Sequence, residues 1–327
     1  MTLSLGHRRL SISAASMVLL ACIAALGCRT QPGTSAPVPT QPAPRAQNPS
    51  PMVERARRHE RVQPGQPSGI AFTIDSVMPR PVDVFIPDGP AAAGASVERT
   101  LLVHLFGASY VPMRAVASAP GRYVLAVVNL GGGSAAYERP LSDSATWTTL
   151  LRRVRDETSA RSGGRVRVGR VIVSAFSAGY GGVRALLSDE RKAETIDAVV
   201  LLDGLHTSYV PERTVLAEGG ALDTTKLVSF LQFARRAAAG QASLLITHSE
   251  IFPGTFASTT ETTDWIIGAL GLVRTPVLTW GPGGMQQLSE VRRGLLMILG
   301  FAGNTGPDHI DHLHGLGGFL TMLERDR

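Results

Sequence analysis

The stretch VIVSAFSAGYGGVRALL, Val171 to Leu187, decides how the chain is read. Strand-forming residues run into a serine flanked by small residues, and a helical pattern starts at once. A serine at a sharp strand-to-helix turn needs small neighbours, because the backbone approaches itself closely there. Its hydroxyl then projects from the top of a sheet, and the N–H groups of the helix start point at the same space. Ala175-Phe176-Ser177-Ala178-Gly179 is a small-x-Ser-x-Gly pattern with alanine where glycine is usual, and it marks Ser177 as the candidate nucleophile. Ser174 is expected inside the strand.

Outward from this corner, apolar runs alternate with helical spacing. GIAFTIDSV and PVDVFIP, joined by Met78-Pro79-Arg80-Pro81, suggest an antiparallel pair. Thr100–Gly107, Tyr123–Leu130, 166–176, Ala198–Asp203 and Ser243–Ser249 read as buried strands, with PVLTW and LLMILGF as two further apolar runs. Residues 144–162 read as a helix with Trp147, Leu150, Leu151 and Val154 on one side. Residues 223–240 read as a helix begun by Asp223 and stopped by Gly240, and 259–271 and 309–327 as two more. Uninterrupted apolar strands alternating with helices predict an α/β fold, a mostly parallel sheet covered on both faces. Ligands of such sheets sit beyond the carboxyl ends of the strands, so strand ends are where chemistry is sought.

A serine needs a base. Of eight histidines, His309 and His312 follow an apolar run and the loop Gly303-Asn304-Thr305-Gly306-Pro307, and His309 comes first. His104 and His248 lie in or at the ends of strands and read as satisfied core or rim histidines. The base needs a carboxylate to fix its tautomer and stabilise the imidazolium. Asp203, ending its strand beside Gly204, is the first candidate, and Glu250, ending the next strand, is the alternative. Developing oxyanion charge calls for N–H donors: Ala178 after the nucleophile, and Gly107 or Ala108 after the Thr100–Gly107 strand. Phe106, His206 and Tyr209 are expected to line the substrate pocket, with 205–221 as the specificity segment. Asn129 to Ser134 lacks the lysine and spacing of a phosphate loop and reads as a bend beside the pocket.

These residues resemble the α/β-hydrolase superfamily in its serine esterase and lipase form, over residues 69–327. The resemblance rests on the elbow at Ser177, the strand-end Asp203, the late His309 or His312 and the stretch His104-Leu105-Phe106-Gly107. It implies a sheet of about eight strands and hydrolysis of a carboxylic ester or related acyl bond through a Ser177 acyl-enzyme, without a cofactor. Two other readings stay open: a non-catalytic hydrolase-fold envelope lipoprotein, and a metal-dependent hydrolase built on Asp308, His309, Asp311, His312 and His314.

Composition sets the surroundings. Of 327 residues, 44% are hydrophobic and 18% charged, with room for one large core or two small ones. The net charge of +6 is scattered, with no basic stripe interleaved with aromatics, so no nucleic-acid partner is expected. Residues 1–28 read as an export signal: His7, Arg8 and Arg9 precede an uncharged stretch ending in Ala25-Leu26-Gly27-Cys28, which resembles a lipobox with Cys28 as the lipidated residue. Residues 29–68, rich in Pro, Ala, Gln, Ser and Thr, read as a disordered tether. Cys22 and Cys28 are the only cysteines, so the expected exported domain has neither an internal disulfide nor a thiolate metal site. An exported protein anchored to the membrane through Cys28, acting on a small-molecule or envelope ester, is the resulting expectation.

Overall fold

The computed structural model describes residues 47–48, 50, 59–89, 96–119 and 122–325. Everything described belongs to one unit, Pro44–Arg327. The expected leader with Cys28, and the tether up to residue 46, lie outside the described residues. Residues 59–68, counted with the tether in the sequence, include a segment held on the domain. His59 Nδ1 lies 2.5 Å from Asp311 Oδ2, Arg61 Nε donates to Asp311 Oδ1 at 3.2 Å, and the Val62 amide donates to His314 Nδ1 at 2.9 Å.

The strands are β1 (Gly69–Ile74), β2 (Val82–Pro87), β3 (Val97–Leu105), β4 (Tyr123–Val128), β5 (Val166–Phe176), β6 (Ala198–Leu202), the short pair β7 (Tyr209–Val210) and β8 (Ala221–Leu222), β9 (Ser243–His248), β10 (Thr275–Trp280), β11 (Gln286–Arg293) and β12 (Leu296–Phe301). Ten of them form one sheet in the order β1-β2-β4-β3-β5-β6-β9-β12-β11-β10, two more strands than the expected eight. The six central strands from β4 to β12 run parallel, and antiparallel strands close both ends. β1 and β2 are the antiparallel pair read from the sequence, with Gly69 opposite Pro87.

Period-two alternation divides the core. Along β3, Leu101, Val103 and Leu105 join one apolar cluster and Leu102 the other. The first cluster is covered by α2 (Ser134–Ser142), α3 (Ser144–Arg161), α4 (Tyr180–Leu187), α6 (Val228–Ala238) and α7 (Thr259–Ala269). The second is covered by α1 (Tyr110–Ala117), α8 (Gly306–His314) and α9 (Leu316–Arg325). The small α5 (Glu190–Glu194) adds Ala193 to the first. The single C-terminal helix expected from the sequence is two, separated at Gly315. Among the described residues, no helix is long and apolar enough to cross a membrane.

The helix read from Trp147, Leu150, Leu151 and Val154 is α3, and all four side chains are buried. The Asp143 carboxylate caps it by accepting from the Ala145 amide at 3.1 Å. Trp147 is satisfied as well as buried, since its Nε1–H donates to Thr195 Oγ1 at 2.8 Å. Trp147→Ala removes the largest side chain of this helix from the core and is expected to cost about 3–5 kcal/mol. Urea titration checks it, and a loss below about 1 kcal/mol contradicts the packing described.

Candidate active site

Three neighbouring parallel strands end in the same way. β3, β5 and β6 are followed by Phe106, Ser177 and Asp203, non-glycine residues with φ of 71°, 44° and 43°. Left-handed φ is unfavourable for residues with a Cβ and is concentrated at functional sites. Small residues permit the crowding. A Cβ at Gly179 would lie 2.3 Å from the Leu105 carbonyl oxygen, and one at Gly204 would lie 2.6 Å from that of Ser177. Ser177 therefore sits on the strand-to-helix corner read from the sequence, at the start of a 3₁₀ turn, Ser177–Gly179, that leads into α4. Ser174 is in the strand and fully buried, hydrogen-bonded to His104.

Asp203 is 2% exposed. Its Oδ1 accepts from the Ser249 amide at 2.9 Å and from Thr259 Oγ1 at 2.7 Å. Its Oδ2 accepts from Ser249 Oγ at 2.7 Å and lies 2.7 Å from His309 Nδ1. Burial pushes the carboxyl pKa up, but the charges of His312 and His309 and the hydrogen bonds from His309 and Thr259 outweigh it and hold the group ionised, far below the usual carboxylate range. The ionised Asp203 thus orients the His309 ring with Nδ1–H toward the carboxylate and Nε2 directed away from it. The His309 ring lies against Phe176, the residue before Ser177, with centroids 4.6 Å apart. Phe176 in turn stacks on Phe106 at 5.8 Å and 8°.

The alternatives take other positions. The buried His312 ring meets Thr247 Oγ1 at 2.7 Å and Phe301 edge-on, and its charge acts on Asp203 alongside that of His309. Glu250 is no partner of either ring. Its Oε2 accepts from the Gly303 amide at 2.9 Å and from Ser50 Oγ, bracing the loop before α8. Of the five residues of the metal reading, His309 turns to Asp203 and His312 meets Thr247. Among the described residues, the group with metal-ligand spacing is His59, Asp308 and Asp311, in which Asp311 is already paired with His59 and Arg61.

A cavity of about 410 Å³ opens at Ser177 and is lined by Ser134, Ala178, Tyr180, His206, Lys226 and Phe256 among others. Of the expected pocket residues, His206 lines it. Tyr209 does not: it is 1% exposed and its hydroxyl donates to Glu261 Oε2 at 2.8 Å, because the β7 strand turns it into the core. Phe106 belongs to the aromatic row beneath, edge-on to Tyr137 at 5.9 Å. The Phe106 amide donates to the Val128 carbonyl at 3.1 Å, and Gly107 follows at φ 130°. Ala108 accepts from the Val111 amide at 3.0 Å, opening α1. Sequence reading missed Ser249 and Thr259 as carboxylate donors. Ser249 directly follows β9, so the strand-end rule reaches it, whereas Thr259 stands in a threonine-rich helix start with no distinguishing signal.

Two histidines beside the site stay neutral. Burial pushes His104 down to about 4, against its bond to the Phe106 carbonyl. Burial, then the charge of Arg274, pushes His248 down to about 3. His104 Nε2–H donates to the Phe106 oxygen at 2.9 Å, and Nδ1 accepts from Ser174 at 2.8 Å.

The sheet order and the strand-end elbow are those of the α/β-hydrolase fold. No protein-family model matches the chain, and no curated protein matches it in sequence. Similar solved structures include an acylaminoacyl peptidase of Pyrococcus horikoshii, at 16% identity and a TM-score of 0.43, covering 80% of this chain and 42% of that one. An esterase of Pyrobaculum calidifontis is similar at 12% identity and a TM-score of 0.43, covering 80% and 86%. A soluble variant of the monoglyceride lipase of Saccharomyces cerevisiae is similar at 10% identity and 0.41, covering 83% and 99%. The chain spans about two fifths of the length of the peptidase.

The depressed histidines predict an acid dependence of stability. Above pH 6.5 neither folded nor unfolded chain protonates them. As pH falls, the unfolded chain takes up protons from about 6.5, while the folded chain resists until about 4 for His104 and about 3 for His248. Urea midpoints are expected to fall from pH 6.5 toward 4, and Asp203, whose pKa is lowered from 3.8, adds its loss only below that value. Midpoints that stay flat from pH 6.5 to 4 contradict neutral, buried histidines.

Proposed function

We propose that the protein is a serine hydrolase cleaving carboxylic esters or related acyl bonds, with Ser177 as nucleophile, His309 as general base and Asp203 as its partner. One observation carries the reading. The buried Asp203 holds His309 Nδ1 at 2.7 Å, and the same ring lies 4.6 Å, centroid to centroid, from the residue preceding the left-handed Ser177. His309 Nε2 takes the Ser177 proton as Oγ attacks the acyl carbon. The Ala178 N–H, with that of Gly107 or Ala108, holds the oxyanion. The imidazolium gives its proton to the leaving oxygen or nitrogen as that bond breaks. Water, deprotonated by His309, then attacks the acyl carbon, and the Ser177–acyl bond breaks as Oγ regains a proton. Asp203 stays ionised throughout and stabilises the imidazolium.

Labelling with a fluorophosphonate tests this, followed by peptide mass spectrometry and 4-nitrophenyl ester assays. The adduct is expected on Ser177 and lost in Ser177→Ala. Asp203→Asn is expected to lower kcat by about 10⁴-fold, because the amide favours the wrong imidazole tautomer. Glu250→Gln is expected to leave kcat within about threefold. An adduct absent from Ser177, or a Glu250→Gln loss equal to that of Asp203→Asn, overturns the assignment.

The reading extends to export and anchorage through Cys28, supported by the basic start and small-residue end of 1–28. In a bacterial host, incorporation of an alkyne fatty acid is expected and should vanish with Cys28→Ser. Unchanged incorporation in that variant argues against this anchor.

A further inference from the structure

The cavity at Ser177 has a charge character that ester hydrolysis alone does not need. Among the described residues, its lining includes Arg184 and Lys226 and no carboxylate. Burial pushes His206 down, so it adds no charge at neutral pH. At about 410 Å³ the cavity suits a small ligand.

The two cations differ. Arg184 is committed, since Nε and Nη2 hold the two oxygens of Glu138 at 3.0 and 2.6 Å. That fork stiffens the wall rather than offering a site. Lys226 is held but not used up. Its Nζ donates to Ser208 Oγ at 2.9 Å and reaches Asp223 Oδ2 at 3.2 Å. An ammonium has three N–H donors, so one remains for a ligand. The Lys226 side chain is 42% exposed, so its pairing with Asp223 is a solvent-screened surface pair of small energy that orients the ammonium and can yield to a ligand anion. Ser208 also lines the cavity and uses its oxygen to accept from Lys226, which leaves its own hydroxyl hydrogen to donate.

We propose that this cavity selects substrates carrying an anionic substituent, a carboxylate on the acyl or on the alcohol part, bound by Lys226 with Ser208. The inference rests on the serine-hydrolase reading for its chemistry, though anion binding itself needs no reaction.

The experiment compares mono-4-nitrophenyl glutarate with 4-nitrophenyl valerate for the acyl side, and 4-carboxyphenyl acetate with phenyl acetate for the alcohol side. The quantity read is the charged-to-neutral ratio of kcat/KM. In Lys226→Met it is expected to fall about tenfold for one pair, and to recover in Lys226→Arg. The affected pair says which part of the substrate carries the charge. Calorimetric titration of glutarate into Ser177→Ala protein supplies a readout without turnover, and affinity is expected to drop about tenfold when Lys226→Met is added. Ester turnover with ratios indifferent to Lys226 overturns the anion site and leaves the hydrolase reading standing. Absence of turnover and of Ser177 labelling overturns the hydrolase reading, and Lys226-dependent glutarate binding then still supports the site. Glutarate binding that ignores Lys226 overturns it.

Discussion

A carboxylate with 2% exposure is the constraint around which this sheet end is built. Burying an ionised group is tolerable only where hydrogen bonds replace its lost hydration. Asp203 collects them from three directions: the amide and hydroxyl of Ser249 beyond β9, the hydroxyl of Thr259 at the start of α7, and the His309 ring on α8. These partners fix where two helices begin relative to β6. Any movement of α7 or α8 away from the strand ends would leave a charge buried and under-bonded, so position and chemistry are secured by the same bonds.

Backbone strain completes the arrangement. Phe106, Ser177 and Asp203 each spend about 1–3 kcal/mol in the left-handed region, at the ends of three adjacent strands. The cost is borne because the turns bring Ser177 and Gly204 into direct backbone contact, which no residue with a Cβ at position 204 permits without displacement. His104 supports the third turn from below by holding the Phe106 carbonyl at 2.9 Å. A core histidine, neutral because it is buried, thereby bears on the loop that carries Gly107 and Ala108.

What the sequence made legible follows from locality. An apolar run ending in a small-residue corner specifies its own turn, so the corners at Ser177 and Asp203 and the β1–β2 pair were readable. β11, Gln286–Arg293, was not, because its half-polar composition is that of a strand near a sheet edge, where one side meets solvent. The run PVLTW, read only as a further apolar run, is in β10, the edge strand, with Leu278 and Trp280 at 68% and 72% exposure. Tyr209, expected in the pocket, and Glu250, the alternative acid, take other places for a related reason. Both stand next to the site in sequence, and only the path of β7 and of the loop to Gly303 decides that one turns inward and the other braces backbone.

His309 and His312 show where local reading stops. They lie three residues apart on one helix and so share a face. Composition and chain order cannot separate them. Depth does: three residues of α-helix rise about 4.5 Å, and His309 stands in the first turn of α8 with a quarter of its side chain exposed, while His312 is 1% exposed against Phe301. A carboxylate that begins just past the last residue of β6 meets the upper ring. The lower ring meets Thr247, inside β9, whose hydroxyl also accepts from the Asp203 amide at 3.1 Å. The second histidine is therefore tied to the backbone of the residue whose carboxylate holds the first, and the two rings, Thr247 and Asp203 form one bonded unit.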